Sequence, residues 1–98
     1  MRYKLVYTSR YHESLYAIFE YISENWSVNT TTQLLSDINK KLSDLKLFPN
    51  ANPTYHLHKN YRFCRVWNYL IFYFIDETTK TIIIYAIYHA SRNVTSLL

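Results

Sequence analysis

The stretch YRFCRVWNYLIFYFIDETTKTIIIYAIYHASRN, residues 61–93, decides how this chain folds. Two apolar-aromatic runs, 69–75 and 81–88, flank Asp76-Glu77-Thr78-Thr79-Lys80, a polar segment suited to a turn. A further run, 61–67, comes first, and Asn68 is the only strong turn former between it and the next. Runs of this length and composition read as strands, so 61–75 predicts a tight hairpin. Residues 81–88 are nearly all apolar and β-branched, which predicts a central strand covered on at least one face. Arg62 and Arg65 open the first run, and Tyr88, His89 and Arg92 close the last. A small antiparallel sheet would bring these basic and imidazole groups towards one region. That suits a phosphate-rich partner better than a small apolar ligand.

Upstream, residues 3–7 alternate and predict a first strand. Ser9 is a plausible N-cap for a helix whose stripe is Leu15, Ile18, Phe19, Ile22 and Trp26. The polar stretch 25–32 should hold a break. A second helix follows, with Leu35, Ile38, Leu42 and Leu45 on one face and Lys40, Lys41 and Lys46 in its C-terminal half, where they complement the helix dipole. Phe48-Pro49 ends it, and 50–53 is a loop. The expected order is β-α-α-β-β-β. This is an α+β fold, an antiparallel-rich sheet with a helical hairpin packed on one face.

Ninety-eight residues, 49% of them apolar, make a single domain over 1–98 with one core. There are eleven tyrosines and no glycine, so any turn needing positive φ falls to Asn or Asp, with Asn50, Asn52, Asn60 and Asn68 as candidates. The net charge of +4 is compatible with an acidic partner. Cys64 is the only cysteine, which excludes an internal disulfide and a cysteine-based zinc site and fits a reducing cytoplasm. It reads as a small core residue. No segment has the apolar length of a membrane span, and the N-terminus lacks a signal-peptide core.

Several pieces in order resemble the RelE/ParE superfamily of bacterial toxin-antitoxin modules. They are the opening strand Tyr3-Lys4-Leu5-Val6-Tyr7-Thr8-Ser9, the helix ending Tyr21-Ile22-Ser23 and the exit Leu45…Phe48-Pro49. They continue with Arg62-x-x-Arg65-x-x-Asn68-Tyr69-Leu70-Ile71-Phe72-Tyr73-x-Ile75-Asp76 and the ending Ile87-Tyr88-His89-x-x-Arg92. The resemblance implies a type II toxin, cytoplasmic and plasmid-stabilising in role, held by a cognate acidic antitoxin, with no cofactor and no membrane. Two mechanisms share the fold, so the site must separate them. RelE-type members cut mRNA on the ribosome, and ParE-type members inhibit DNA gyrase.

A ribosome-dependent endoribonuclease, or mRNA interferase, needs a base for the 2′-hydroxyl, cations for the transition state and an acid for the leaving oxygen, without a metal. On that reading His89 is the acid or base, as in a YafQ-like subgroup, and Arg92 and Arg65 hold the phosphate. His58, or His56 beside it, assists. Lys59, Arg62 and Tyr88 contact RNA, Tyr88 by stacking. Leu70 stands where RelE has an arginine, and no acidic residue lies between Asp44 and Asp76. Both departures favour the gyrase-inhibitor alternative, which needs no catalytic histidine. A relative that only binds antitoxin is a third reading. Arg62 and Arg65, three apart in a strand, should face opposite sides.

Overall fold

A computed structural model describes residues 3–92 and Leu98, and the remainder of the expected tail, 93–97, lies outside the described residues. The elements run β1 (Lys4–Tyr7), α1 (Ser9–Asn25), α2 (Val28–Leu45), β2 (Thr54–Tyr55), β3 (His58–Val66), β4 (Tyr69–Asp76) and β5 (Thr81–His89). They build one five-stranded sheet in the order β1-β5-β4-β3-β2. β1 lies parallel to β5, and the other neighbours are antiparallel. The two-residue β2 is additional to the expected strands, because two residues carry no periodicity.

Both helices pack on one face. Their Tyr11, Ile22, Leu34, Ile38, Leu42 and Leu45 bury against Cys64, Val66, Ile71, Tyr73, Ile82, Ile84 and Ile87. The stripe of α2 therefore runs through Leu34, which is fully buried, while the expected Leu35 is 39% exposed. Both leucines stand at helical spacing from Ile38, and only the orientation of α2 against the sheet chooses between them. In α1 the stripe ends at Ile22. Trp26 has already left the helix in an extended conformation, although its N–H still reaches Ile22 O at 2.7 Å, and its side chain is exposed. The interhelical break is short, Trp26 and Ser27 alone, because Ser27 caps α2 by accepting the Thr30 N–H.

The cap of α1 is Thr8, and Ser9 is the first helical residue. The Thr8 hydroxyl accepts the Tyr11 N–H at 3.0 Å and donates to Tyr85 O at 2.7 Å, while the Thr8 N–H bonds Ile84 O at 3.1 Å. Those two carbonyls flank a β-bulge. Phe72 pairs with Ala86 and Tyr73 with Ile84, so Tyr85 is the extra residue. The bulge resets the alternation of β5. Ile84 and Ile87 both join the helix-side core, while Tyr85, Ala86 and Tyr88 belong to a second cluster on the outer face. That outer layer is aromatic, with Phe72 fully buried among Tyr55, Phe63 and Tyr88, and Tyr61 against Phe74 and Tyr85.

Among the described residues, neither of the two with positive φ is an asparagine. Trp67 (φ 54°) and Lys80 (φ 51°) take that conformation, which costs an L-residue about 1–2 kcal/mol. Asn68 does close the hairpin, as the second residue of the two-residue turn between paired Val66 and Tyr69. Lys80 is steadied by an ion pair with Glu77 at 3.0 Å and by stacking its ammonium on the Tyr3 ring. No helix among the described residues is long and apolar enough to cross a membrane.

Candidate functional site

The sheet separates the candidate residues into two groups. At one end the β3–β4 turn, the exit of β5 and the C-terminal half of α1 enclose an open cleft of about 750 Å³. Ile18 and Ile22 of α1, with Trp26 just beyond its end, face Trp67, Tyr69 and Ile87 across it, with His89, Ser91 and Arg92 at the strand exit. His89 stands edge-on to the Tyr69 ring at 5.5 Å between centroids. The Ser91 N–H donates to His89 Nδ1 at 3.1 Å, and the Ser91 hydroxyl lies 2.7 Å from the same atom. A backbone N–H can only donate, so Nδ1 is an acceptor and the ring proton belongs on Nε2. No carboxylate lines this cleft among the described residues.

Arg92 places its guanidinium 5.3 Å from the centre of the Tyr88 ring. Arg65 shares the outer face but is occupied locally, with Nε donating to Trp67 O at 2.8 Å and a terminal nitrogen to Asn68 Oδ1 at 3.1 Å. Arg10, from the first turn of α1, reaches the same face, 5.6 Å from the Tyr85 ring centre. A hydrogen bond with Tyr88, then the fields of Tyr85 and Tyr88, raise its guanidinium above the ordinary arginine range. Tyr88 thus lies between two guanidinium groups.

The other candidates lie elsewhere. His58 sits edge-on to Tyr61 at 4.7 Å and lines a smaller hollow of about 390 Å³ with Asn60, Phe74 and Ile75. Tyr61 touches Phe74, near the far end of β4, whereas His89 pairs with Tyr69 at its beginning. Five residues of strand separate those positions, roughly 17 Å at about 3.4 Å per residue. His58, and the exposed His56 and Lys59 with it, therefore do not share a site with His89. Arg62 does face away from Arg65. It donates to Asn52 O at 2.5 Å and Asn50 O at 3.4 Å and so ties down the loop after α2. Among the described residues no group of three His, Cys, Asp or Glu could hold a metal ion.

No local pattern marks Arg10 or Tyr85, which lie on different elements and meet through the Thr8 contact with the bulge. Local pattern marks Trp67 only as the last residue of an expected strand. Its indole N–H donates to Asp37 Oδ2 at 2.8 Å, a link from the turn to α2.

Comparison with known proteins agrees with this architecture. Three solved structures share the fold. The chromosomal ParDE toxin-antitoxin system from P. aeruginosa matches with TM-score 0.77 at 16% identity over 92% of this chain and 98% of that one. The RelBE2 complex of Mycobacterium tuberculosis matches with TM-score 0.64 at 16% identity over 91% and 99%. A double mutant of E. coli toxin RelE in the free state matches with TM-score 0.67 at 14% identity over 99% and 93%. No curated protein sequence matches the chain. Residues 5–94 match the family described as the ParE toxin of the type II toxin-antitoxin system parDE. With nearly the whole chain inside that match and the two-helix, five-strand fold of its structural neighbours, the protein belongs to the ParE toxin family, within the RelE/ParE superfamily of type II toxins.

Proposed function

We propose that this toxin arrests growth by binding a target protein of the DNA gyrase class, as ParE-type members do, and not by cutting RNA. One observation carries the reading. The histidines that a nuclease would use as acid and base stand at opposite ends of β4, roughly 17 Å apart by strand rise. A proton relay across a single phosphate requires both within hydrogen-bond reach of it. His89, moreover, sits in an apolar cleft with its Nδ1 bonded to its own loop.

The deciding assay is DNA supercoiling by purified gyrase with and without the toxin. Inhibition is expected, with double-strand breaks and an SOS response in cells. His89→Gln should remain toxic to within a few-fold, since no proton transfer is asked of it. Undiminished supercoiling alongside growth arrest would reject the proposal.

The mRNA-cleaving reading keeps one specific support. Arg10 and Arg92 flank the buried Tyr88 and so bring two cations together on the outer face, which suits a phosphate. New cleavage ends in primer extension on translated mRNA, lost in His89→Gln, would establish it. The antitoxin that restrains either activity is expected to be acidic and partly helical.

A further inference from the structure

The β3–β4 turn joins three parts of the molecule through hydrogen bonds of two adjacent residues. Trp67 Nε1–H reaches α2 at Asp37, whose other oxygen accepts from Gln33 Nε2 at 2.9 Å. The Trp67 carbonyl and the Asn68 side chain hold Arg65 on the outer face. The Asn68 carbonyl accepts the Ala90 N–H at 2.7 Å, just before the loop that carries Arg92. Trp67 and Asn68 also form one wall of the cleft.

The turn is held against its local preference. A bulky residue takes the left-handed conformation while the neighbouring asparagine, better suited to it, does not. Such a conformation persists only where surrounding contacts impose it. The Asp37 contact is one of these, and it is solvent-accessible, so it can open without disturbing the core.

We propose that the Trp67–Asp37 bond is a latch that couples the cleft to the outer face. Latched, the turn occupies two donor positions of Arg65 and fixes the exit of β5. Released, Trp67 relaxes, its carbonyl reorients, and Arg65 and the 90–92 loop become free to meet an anion. A partner group that takes the Asp37 carboxylate, or the place of the indole at the cleft rim, shifts the balance towards release. The device is independent of which target the toxin has.

Hydrogen exchange followed by NMR on the free, folded protein tests it without reference to toxicity. In Asp37→Ala the Trp67 indole N–H, the Arg65 Nε–H and the Ala90 N–H should all exchange faster, by about tenfold, the factor that loss of one charge-assisted hydrogen bond supplies. The Lys4 N–H, bonded to Lys80 O at 3.1 Å at the other end of β5, should not change. Trp67→Phe keeps an aromatic side chain, smaller by the pyrrole ring, and removes the donor to Asp37, and should accelerate Arg65 and Ala90 to the same degree. It also supplies the answer if Asp37→Ala fails to fold. An accelerated indole with unchanged Arg65 and Ala90 would remove the coupling, and an unchanged indole in Asp37→Ala would remove the latch.

Discussion

At the scale of the residue, Thr8 does the work of two. Its hydroxyl caps α1 and closes the carbonyl of the β5 bulge, two needs that arise far apart in the chain. Thr8→Val keeps the shape and removes both bonds. A loss of about 1–3 kcal/mol is expected, from a missing cap plus an unsatisfied carbonyl, and Thr8→Ser should recover most of it in urea denaturation. Cys64 carries a second prediction. Burial pushes its thiol up to about 11 from the ordinary 9.0. The folded state therefore retains the proton after the unfolded chain has lost it. The thiol leaves stability untouched below pH 9 and lowers it progressively between pH 9 and 11. Tyr11 and Tyr73, raised by burial as well, act in the same direction at higher pH. Urea midpoints measured from pH 8 to 11 should fall for the wild type and fall less for Cys64→Ala. At pH 8 the native thiol should resist iodoacetamide until the protein is unfolded.

At the scale of the element, α2 was legible as a helix and ambiguous in phase. Two adjacent leucines satisfy the same spacing, and the difference is large in energy. Leu34→Ala empties a fully buried site and should cost about 2–4 kcal/mol. Leu35→Ala, at a 39% exposed position, should cost under about 1 kcal/mol. Equal losses in thermal denaturation would contradict the assigned face. The β3–β4 hairpin was legible from Asn68 and the flanking aromatics. Its strained residue was not, because the choice of Trp67 over Asn68 depends on contacts made by Asp37 and Arg65.

At the scale of the molecule, β1 is the one strand among the described residues that pairs in parallel, and it covers β5 along Thr81 to Ile84. Beyond it, Thr8 and Ser14 of α1 take over, Ser14 Oγ accepting the Ile87 N–H at 3.1 Å. Removing residues 1–7 would bare the edge of a strand whose Ile82 and Ile84 are fully buried. The truncated protein should lose its cooperative unfolding transition and elute from gel filtration as aggregate, as an unpaired apolar edge recruits other chains. A cooperative, monomeric product would show that α1 alone protects that edge.

The sequence by itself determined the order of every element but β2, the hairpin, Cys64 as a core residue and the opposed faces of Arg62 and Arg65. Each follows from local periodicity or turn chemistry, which a few neighbouring residues specify. Only the tertiary structure decided the face of Leu34 and the position of His58 far from His89. It also decided that Tyr88 turns outward while Ile87 and His89 turn towards the helices. That last choice rests on one extra residue, Tyr85, and bulges leave no periodic trace in a run where both faces are apolar. The bulge is fixed by Thr8, 77 positions away in the chain, and an interaction of that span is invisible to any local reading.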